Sequence, residues 1–432
     1  MTENGLNSES MRSGPGLPRA RVLALADAID VVRRLDAPAD ARLRQFFRSR
    51  PQMGQQDRGF VAEGAFAYLR RKRSIEALAR TDEPRRLALA TLVRETGASV
   101  RELEPAITAE EREWLAAFKS RMREPLAPAV AADLPDWLWE RLGETMGETA
   151  RAAFARSAAK AAPMDLRVNA MKATREDALA ALAADGLDVA ATPWSPWGLR
   201  VRGRPMLARH AWFADGRIEV QDEGSQLVAS LVAPRRGEMG VDFCAGAGGT
   251  TLALGALMRS QGRLYAFDTV ERRLTQLKPR LARSGLSNVH PQQIAHERDT
   301  RIKRLAGKAD RVLVDAPCTG TGTLRRNPDL KWRHQPVDVA ELAAKQAAIL
   351  ASASTLVKPG GRLVYATCSV LPEENERIVD AFLAAHAEFA RGDATAETKR
   401  AGIALDTGTE LRLSTAEHGC DAFYAAILER RA

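Results

Sequence analysis

The 432-residue chain is poor in cysteine and contains no long apolar run. Its four cysteines are too few for a disulfide framework in a chain of this length, and none are spaced as Cys-x-x-Cys. They predict reduced thiols in a cytoplasmic protein. No stretch approaches the roughly 20 apolar residues that span a bilayer. The polar N-terminus, MTENGLNSES, lacks the apolar centre of an export signal, so we expect a cytoplasmic chain without a membrane segment.

What the chain does have is an excess of basic charge. Lys and Arg number 64 against 55 Asp and Glu, which gives a net charge of +9 at pH 7. Arginine supplies most of the positive charge, and its planar guanidinium can bind two phosphate oxygens at once. The charge therefore favours nucleic acid as a partner, with a basic but inert solvated surface as the alternative explanation.

Changes of pattern divide the chain into four parts. Residues 1–17 are polar with Gly and Pro, and predict a disordered tail. Residues 18–156 carry apolar residues at helical spacing between prolines, and predict an all-helical domain, with Leu23 on the apolar face of its first helix and one helix over residues 137–155. Its basic run, residues 70–73, is either an RNA contact or a solvated helix end. Residues 163–235 alternate short strands and helices, and predict a small α+β RNA-binding subdomain that ends in a helix over residues 223–232.

The last part, residues 236–432, has the rhythm of a parallel sheet. Short apolar runs alternate with helical or loop segments, namely GVDFCA, RLYAFD, RVLVDAP and GRLVYATCS. This alternation predicts an α/β fold with a doubly wound, Rossmann-like sheet, preceded by the α+β subdomain and the helical domain. In such sheets ligands bind at the carboxyl ends of the strands.

A glycine-rich turn follows the first of these strands, in VDFCAGAGGTTLAL (241–254). Glycines let backbone N–H groups approach a ligand, and the start of a helix favours negative charge. The second strand ends in Asp268, whose carboxylate can accept hydrogen bonds from the ribose hydroxyls of an adenosine. Together these features predict a nucleotide cofactor site, although a dehydrogenase uses the same kind of turn.

Two cysteines stand at the ends of later strands. Cys318 follows Pro317, which cannot extend a strand ladder, and Cys368 ends the run GRLVYATCS. Either cysteine alone is typical of a small buried apolar residue. Two cysteines at neighbouring strand ends beside a glycine turn instead predict a nucleophilic site, because a thiolate readily attacks carbon.

A basic cluster follows Cys318 in the segment TGTGTLRRNPDLKW (319–332). Its side chains offer phosphate contacts and one aromatic face on which a base can stack. An ordinary polar surface loop is the alternative. The cluster consists of Arg325, Arg326, Asn327, Asp329, Lys331 and Trp332.

These segments resemble the Sun-type RNA cytosine-5 methyltransferases, most of all the 16S ribosomal RNA methyltransferase B group. CAGAGGTT resembles the cofactor loop of that family, and DAPCTGTGTLRRNPDLKW and TCSVLPEENE resemble its two cysteine motifs. LRVNAMK, VQDEGSQL and CDAFYAAIL resemble further family segments, so the resemblance covers roughly residues 165–430. The helical domain more loosely resembles a NusB-like RNA-binding domain.

The resemblance implies S-adenosylmethionine as cofactor and a role for each motif residue. Cys368 is implied to attack carbon 6 of a cytosine, and Cys318 to help break the adduct after methyl transfer. Asp315 is implied to lie against the cofactor or the target base, and Asp268 against the ribose. Lys172 and Lys331 are candidate contacts to the base or its phosphate. The implied contacts to the methionine end of the cofactor are Cys244, Ala245, Gly246, Ala247, Gly248, Gly249 and Thr250.

The chain departs from the family pattern in its cofactor loop. Thr250 stands where the family usually has Lys, and Ala247 where it has Pro. A loss of cofactor binding would leave a non-catalytic RNA-binding factor of ribosome assembly, which stays open as an alternative.

Other enzyme classes fit the motifs less well. A DNA or transfer-RNA cytosine-5 methyltransferase of the class that uses the PC cysteine as nucleophile would not be expected to carry the TCS strand end. A dehydrogenase would not explain paired cysteines at strand ends. We expect RNA as partner, ribosomal RNA before transfer RNA, and no metal. Nothing in the sequence demands an oligomer, so we expect a monomer.

Overall fold

The computed structural model describes residues 16–432, so residues 1–15 of the predicted tail lie outside the described part of the chain. The last tail residue, Leu17, is buried, and its N–H donates to the carbonyl oxygen of Glu102 at 2.7 Å. The chain divides into two compact units. Of the described residues, the first unit contains 16–162 together with 323–336, and the second contains 163–322 and 337–432.

The first unit is helical and has one apolar core. Leu25, Ile29, Val61 and Leu89 are fully buried in it, as the helical spacing of apolar residues predicts. Its helices before residue 162 are α1 (Arg19–Val32), α2 (Ala39–Arg48), α3 (Gln55–Arg70), α4 (Lys72–Ala79), α5 (Pro84–Glu95), α6 (Val100–Leu103), α7 (Ala109–Arg121), α8 (Pro128–Ala131), α9 (Asp136–Thr145) and α10 (Glu148–Ala158).

Two details of the helical prediction are corrected. Leu23, predicted on the apolar face of the first helix, is 43% exposed, and Val22 is buried instead. A single helix over residues 137–155 is broken into α9 and α10. Gly147 has an extended backbone (φ −61°, ψ 157°) and caps the start of α10, which ends the run.

The second unit begins with the small α+β subdomain. Its four-stranded sheet is antiparallel in the order β2-β3-β1-β4, and Leu166 of the central strand faces Leu199 and Val220. The helix after this sheet, α13, has the predicted bounds. The elements are β1 (Met164–Val168), α11 (Arg175–Ala184), β2 (Val189–Ala191), β3 (Gly198–Val201), α12 (Ala211–Ala214), β4 (Ile218–Val220) and α13 (Glu223–Val232).

The rest of the second unit is built on an eight-stranded sheet. Seven strands follow the order β10-β12-β9-β8-β5-β6-β7, and β11 pairs with β12. The elements are β5 (Met239–Asp242), α14 (Gly249–Leu257), β6 (Arg263–Asp268), α15 (Glu271–Ser284), β7 (Val289–Gln293), α16 (Thr300–Lys303), β8 (Ala309–Asp315), α17 (Leu330–Arg333), α18 (Pro336–Ser354), β9 (Val357–Thr367), α19 (Glu376–Ala385), β10 (Phe389–Arg391), α20 (Ala394–Arg400), β11 (Glu410–Arg412), α21 (Thr415–His418) and β12 (Tyr424–Arg430). Of these, α17 belongs to the helical unit.

The five strands from β5 to β9 are parallel, and β12 runs antiparallel to β9. Crossover connections made largely by helices join the parallel strands, which confirms the predicted α/β fold with a doubly wound sheet, an α+β subdomain and a helical N-terminal domain. Parallel pairing brings the carboxyl ends of strands to one edge of the sheet, where β5, β6, β8 and β9 end in Asp242, Asp268, Asp315 and Thr367. Within residues 16–432, no helix has the length and apolar character to cross a membrane.

Candidate active site

The glycine-rich turn between β5 and α14 is a tight backbone turn with little room for side chains. Gly248 donates its N–H to the carbonyl oxygen of Ala245 at 2.8 Å and has a φ of +82°. A Cβ at Gly248 would lie 2.1 Å from a methyl carbon of Leu277, so only glycine fits. Gly246 also has a positive φ, of +56°, with no atom within 4 Å of an added Cβ. The turn therefore presents backbone groups to open space at the sheet edge.

Asp268, at the end of β6, holds this turn in place. One carboxylate oxygen accepts the N–H of Gly246 at 2.9 Å, and the other accepts the N–H of Val270 at 2.7 Å. Each carboxylate oxygen can accept a second hydrogen bond. Asp268 can therefore order the turn and still accept from two hydroxyl groups of a ligand.

Two arginines, Arg167, which is buried, and Arg280, which is half-buried, support the same turn. Arg167 of β1 donates to the carbonyl oxygen of Gly249 at 2.8 Å, and Arg280 of α15 donates to that of Ala247 at 2.6 Å. Burial lowers the pKa of Arg167 to about 10, so it stays protonated at neutral pH. Glu219 lies 3.5 Å from the Arg280 guanidinium and balances this charge. The α+β subdomain thus positions the cofactor turn.

The residues predicted to touch the cofactor beside the turn are enclosed. Thr250 is 7% exposed, and Thr251 donates its hydroxyl to Asp242 at 2.6 Å. Burial, with the nearby charges of Asp315 and Asp268, raises the pKa of Asp242 to about 7. Burial raises the pKa of Asp315 to about 6. Burial likewise raises the pKa of the Cys244 thiol, which makes it a neutral lining group.

The two cysteines predicted to react are brought together. The sulfur atoms of Cys318 and Cys368 lie 3.4 Å apart, and both residues are half-buried. The hydrogen bond with Cys318, burial, and the charges of Asp315 and Asp421 raise the pKa of Cys368 well above that of an ordinary thiol. The site therefore holds two adjacent thiols, of which that of Cys368 is neutral at pH 7, together with carboxylates from the same sheet edge.

The loops that carry the two cysteines are joined to each other by hydrogen bonds. Gly322 donates its N–H to the carbonyl oxygen of Cys368 at 2.8 Å, and Ala422 donates to that of Gly322 at 3.0 Å. A Cβ at Gly322 would lie 2.2 Å from the Ala422 carbonyl oxygen, so this crossing requires glycine. Val370 donates its N–H to the hydroxyl of Thr321 at 3.0 Å.

A buried carboxylate, Glu374, completes this connection. It accepts the N–H of Thr319 at 2.9 Å and the hydroxyls of Thr319 and Ser369, each at 2.5 Å. The side-chain amide of Gln346 in α18 donates to it at 3.0 Å and to the carbonyl oxygen of Pro317 at 2.9 Å. Glu374 thus contacts the residue that follows each cysteine.

Several residues predicted to bind RNA lie in segment 323–336, which belongs to the helical unit. The Lys331 amine donates to the carbonyl oxygen of Arg70 at 2.9 Å and is 2% exposed. The Trp332 indole donates to the carbonyl oxygen of Leu69 at 2.8 Å. Arg325 is 6% exposed, whereas Arg326 is half-buried. The polar atoms of Lys331 and Trp332 are therefore used within the unit, because the segment caps a helix there.

The remaining predicted basic residues also make internal contacts. Lys172 is exposed, and its amine donates to the carbonyl oxygens of Asp215 and Arg283, both at 2.6 Å. The run 70–73 makes ion pairs within its own unit. All four of its side chains lie near carboxylates of the same unit: Arg70 near Glu63, Arg71 near Glu95 and Asp133, Lys72 near Glu76, and Arg73 near Asp136.

Sequence reasoning missed four residues that shape the site. Arg167 stands in a buried strand, where a cation is unusual and could have been noticed. Glu374 belongs to the acidic run after Cys368, which is equally typical of a helix start. Nothing local distinguishes Arg280 in a basic helix, or Gln346 in α18.

The chain is similar in sequence to known ribosomal RNA methyltransferases. The family described as 16S rRNA methyltransferase RsmB/F matches residues 229–429, and the ferredoxin-like domain of RsmF/B-like methyltransferases matches residues 134–206. The probable ribosomal RNA small subunit methyltransferase B of Synechocystis sp. is 34% identical over 310 residues, which cover 71% of this chain and 69% of that relative. The ribosomal RNA small subunit methyltransferase B of Klebsiella pneumoniae is 37% identical over 272 residues, covering 62% of this chain and 60% of that relative, less than two thirds of it.

A solved structure is similar along nearly the whole chain. The crystal structure of PH0851 matches with a TM-score of 0.78 at 26% identity, and the match covers 96% of this chain and 99% of that one. The fold described above is therefore shared by a second protein from end to end of its chain.

Proposed function

This chain belongs to the RsmB/F family of 16S rRNA methyltransferases, and on that premise we propose that it methylates carbon 5 of a cytosine in RNA, with S-adenosylmethionine as methyl donor. The observation that carries the proposal is the pair of thiols, Cys318 and Cys368, 3.4 Å apart at the carboxyl edge of the sheet. Small-subunit ribosomal RNA is the proposed substrate, following the names of the relatives.

The residues at the sheet edge fit S-adenosylmethionine by their chemistry. The open turn at Gly246 offers backbone groups, and Asp268 keeps acceptor capacity for ribose hydroxyls. Asp242, Asp268 and Asp315 end three neighbouring strands at this edge, and burial raises the pKa of Asp242 and of Asp315 because water solvates their charged forms poorly there. The positive sulfonium group of S-adenosylmethionine would favour the charged forms of these carboxylates. When bound, S-adenosylmethionine supplies an electrophilic methyl group.

Cys368 performs the covalent step in this proposal. Carbon 5 of cytosine is a poor nucleophile. The thiol of Cys368 first gives up its proton to water, and the thiolate then activates carbon 5 by forming a bond to carbon 6. The electron pair of the 5,6 double bond then becomes available at carbon 5, which forms the new bond to the methyl group. This covalent route replaces one difficult step with easier ones.

Cys318 and Asp315 act around the adduct. Once the sulfur of Cys368 is bonded to carbon 6, Cys318 gives up its own proton to water, and the resulting thiolate, beside that bond, is placed to accept the proton that leaves carbon 5. The electron pair of the broken C–H bond restores the double bond, and the sulfur of Cys368 leaves carbon 6. Asp315 lies against the cofactor or the target base. The cytosine has to leave its stack to reach thiols at a sheet edge, as in other enzymes that modify bases.

The test is transfer of labelled methyl from S-adenosylmethionine to total RNA from cells that lack this enzyme, followed by nucleoside analysis. We expect the label in 5-methylcytidine, and mapping of the modified position then names the substrate. Label in transfer RNA alone would replace ribosomal RNA as the substrate. Binding of RNA without any methyl transfer would overturn the proposed activity in favour of a non-catalytic assembly factor, for which Thr250 in the cofactor loop would be the first residue to examine.

A further inference from the structure

The carboxylate of Glu374 is an isolated negative charge inside the second unit. Its residue is fully buried, and within residues 16–432 every donor to it is uncharged. A buried carboxylate without a cation is costly, because water no longer solvates it. Four hydrogen bonds from one amide N–H, one side-chain amide and two hydroxyls offset that cost. Uncharged side chains could hold two loops together without the free-energy cost of burying a carboxylate. The use of a carboxylate at this position therefore indicates a role in the reaction.

The donors to Glu374 are the immediate neighbours of the reactive cysteines. Thr319 follows Cys318 in the chain and donates both its N–H and its hydroxyl. Ser369 follows Cys368 and donates its hydroxyl to the same carboxylate oxygen as the Thr319 hydroxyl. One side chain therefore fixes the backbone after both cysteines.

We propose that Glu374 is a positioning residue of the methyl-transfer reaction, which sets the separation of the Cys318 and Cys368 thiols through Thr319 and Ser369. This inference rests on the proposed function, in which one thiol forms the adduct and the other helps to break it. Glu374 itself touches neither sulfur in this role. It acts through the two loops that it ties together.

This positioning role requires that both carboxylate oxygens of Glu374 accept hydrogen bonds. The two hydroxyls converge on one oxygen, while the backbone N–H of Thr319 and the amide of Gln346 converge on the other. Glutamine has the same shape as glutamate but presents donor hydrogens on one of these atoms. In Glu374→Gln one pair of donors therefore faces another donor, and the loops lose their common attachment.

The experiment compares Glu374→Gln with Glu376→Gln, which makes the same change two residues later where the carboxylate accepts from Arg412 instead. We expect Glu374→Gln to lower kcat for methyl transfer at least tenfold, with KM for RNA and Kd for S-adenosylmethionine within about twofold of wild type. Glu376→Gln should keep the wild-type kcat. A general loss of structure would instead change binding as well.

A second measurement reports the thiol separation without using the reaction. Diamide takes one hydrogen from each of two neighbouring thiols, which join as a disulfide while diamide is reduced to the hydrazine. Intact-mass and peptide analysis follow the rate at which Cys318 and Cys368 become linked. We expect this rate to fall at least fivefold in Glu374→Gln and to stay unchanged in Glu376→Gln.

A milder pair of variants guards against misfolding of Glu374→Gln. Thr319→Val removes one hydroxyl donor at constant shape, and Thr319→Ser keeps it. We expect Thr319→Val to lower both kcat and the linking rate, and Thr319→Ser to restore them. Wild-type kcat and linking rate in a folded Glu374→Gln, or in Thr319→Val, would overturn the inference. If wild-type protein transfers no methyl, the proposed function fails, while the linking rates still decide whether Glu374 positions the thiols.

Discussion

The two thiols at the sheet edge cannot both carry a charge at low cost. Their sulfur atoms are 3.4 Å apart, and the hydrogen bond with Cys318 is the largest influence that raises the pKa of Cys368. Ionisation of one thiol disfavours ionisation of the other, because like charges at this distance repel. The pair therefore carries at most one thiolate at a time, which suits two cysteines that act one after the other.

The roles proposed for the two cysteines predict different failures. Cys368→Ala should abolish methyl transfer, because in that proposal no other group forms the bond to carbon 6. Cys318→Ala should instead accumulate protein–RNA adducts that survive denaturation, seen as a slow band in a denaturing gel. Cys420→Ala, which removes a buried thiol elsewhere, is the matched control. Normal release of RNA by Cys318→Ala together with methyl transfer by Cys368→Ala would show that the roles are wrongly assigned.

The raised pKa of Cys368 predicts how its reactivity depends on pH. Below the pKa of a thiol its thiolate fraction grows about tenfold per pH unit, and an ordinary cysteine levels off near its pKa of about 8.5. Alkylation of Cys368 by iodoacetamide, followed by peptide mass analysis, should therefore still be rising at about pH 9. In Cys318→Ala the hydrogen bond is lost, and the curve should shift to lower pH. A plateau of the wild-type curve below about pH 8 would contradict the assigned pKa direction.

At this scale the sequence predicts which residues meet at strand ends, but not which donors are already used. Cys318, Cys368 and Asp268 could be placed because parallel strands end at a common edge. Lys331 and Trp332 look equally suited to RNA in the sequence. Their polar atoms bind the end of a helix that lies about 260 residues earlier in the chain, and local spacing contains no trace of that contact.

Among the elements, segment 323–336 acts as a set of helix caps for the helical unit. A helix leaves its first N–H groups and last carbonyls without partners. Asp329 accepts the N–H of Ala39 at 3.2 Å, at the start of α2, where Pro38 offers no side-chain cap. Lys331 and Trp332 donate to the last carbonyls of α3. The segment therefore completes one end of each of two helices.

Of the residues that cap these helices, Trp332 is the easiest to test by substitution. Trp332→Phe keeps a ring against the helical core but loses the indole donor, and should destabilise the helical unit by about 1 kcal/mol. Trp332→Ala also loses packing, and should cost about 3 kcal/mol. Urea unfolding followed by circular dichroism measures both. Equal stability of the two variants would mean that the ring does not pack against the core as described.

Element bounds in the second unit follow from the sequence better than those in the first. Strand ends there are marked by Gly, Pro and Asp, and α13 begins and ends at the predicted residues. In the helical unit the apolar spacing runs through residues 137–155 without a break, and only the backbone of Gly147 divides it. Apolar residues at helical spacing show that a stretch is helical, but they do not show where one helix ends and the next begins.

For the whole molecule, the net charge of +9 predicts salt-sensitive binding of RNA. The logarithm of the association constant should fall linearly with that of the salt concentration, because counterions are released from phosphates. Removal of residues 1–156 should weaken binding and flatten this slope in a filter-binding titration. Affinity that is unchanged across the salt range would contradict a role for the helical unit in RNA binding.

Removal of residues 1–156 needs a control for aggregation, because part of the helical unit remains in the shortened chain. Segment 323–336 stays behind in the shortened chain, and its half-buried Trp332 loses the helical core that it packs against. A second deletion that also carries Trp332→Ser removes this exposed apolar group. Equal RNA affinity of the two shortened chains would show that lost contacts, rather than aggregation, explain the change.

Domains were predicted as continuous stretches because composition changes along the chain only once per boundary. A change of pattern near residue 163 marks the start of the second unit. The return of 323–336 to the first unit leaves no such mark, since its basic and aromatic residues are typical of an RNA-binding loop. Contacts over long sequence separations decide this division, and one sequence alone does not reveal them.

The position of segment 323–336 late in the chain also determines when the helical unit can complete its fold during translation. The helical unit leaves the ribosome with residue 162, and the segment that completes it follows about 160 residues later. At roughly 5 to 20 residues per second, the wait is about 8 to 30 s. During that interval α2 and α3 lack these caps, while the ribosome makes β5 to β8, half of the eight-stranded sheet. The helical unit can therefore complete its fold only after the loop that carries Cys318 has been synthesised. Folding of the first unit thus depends on translation of much of the second.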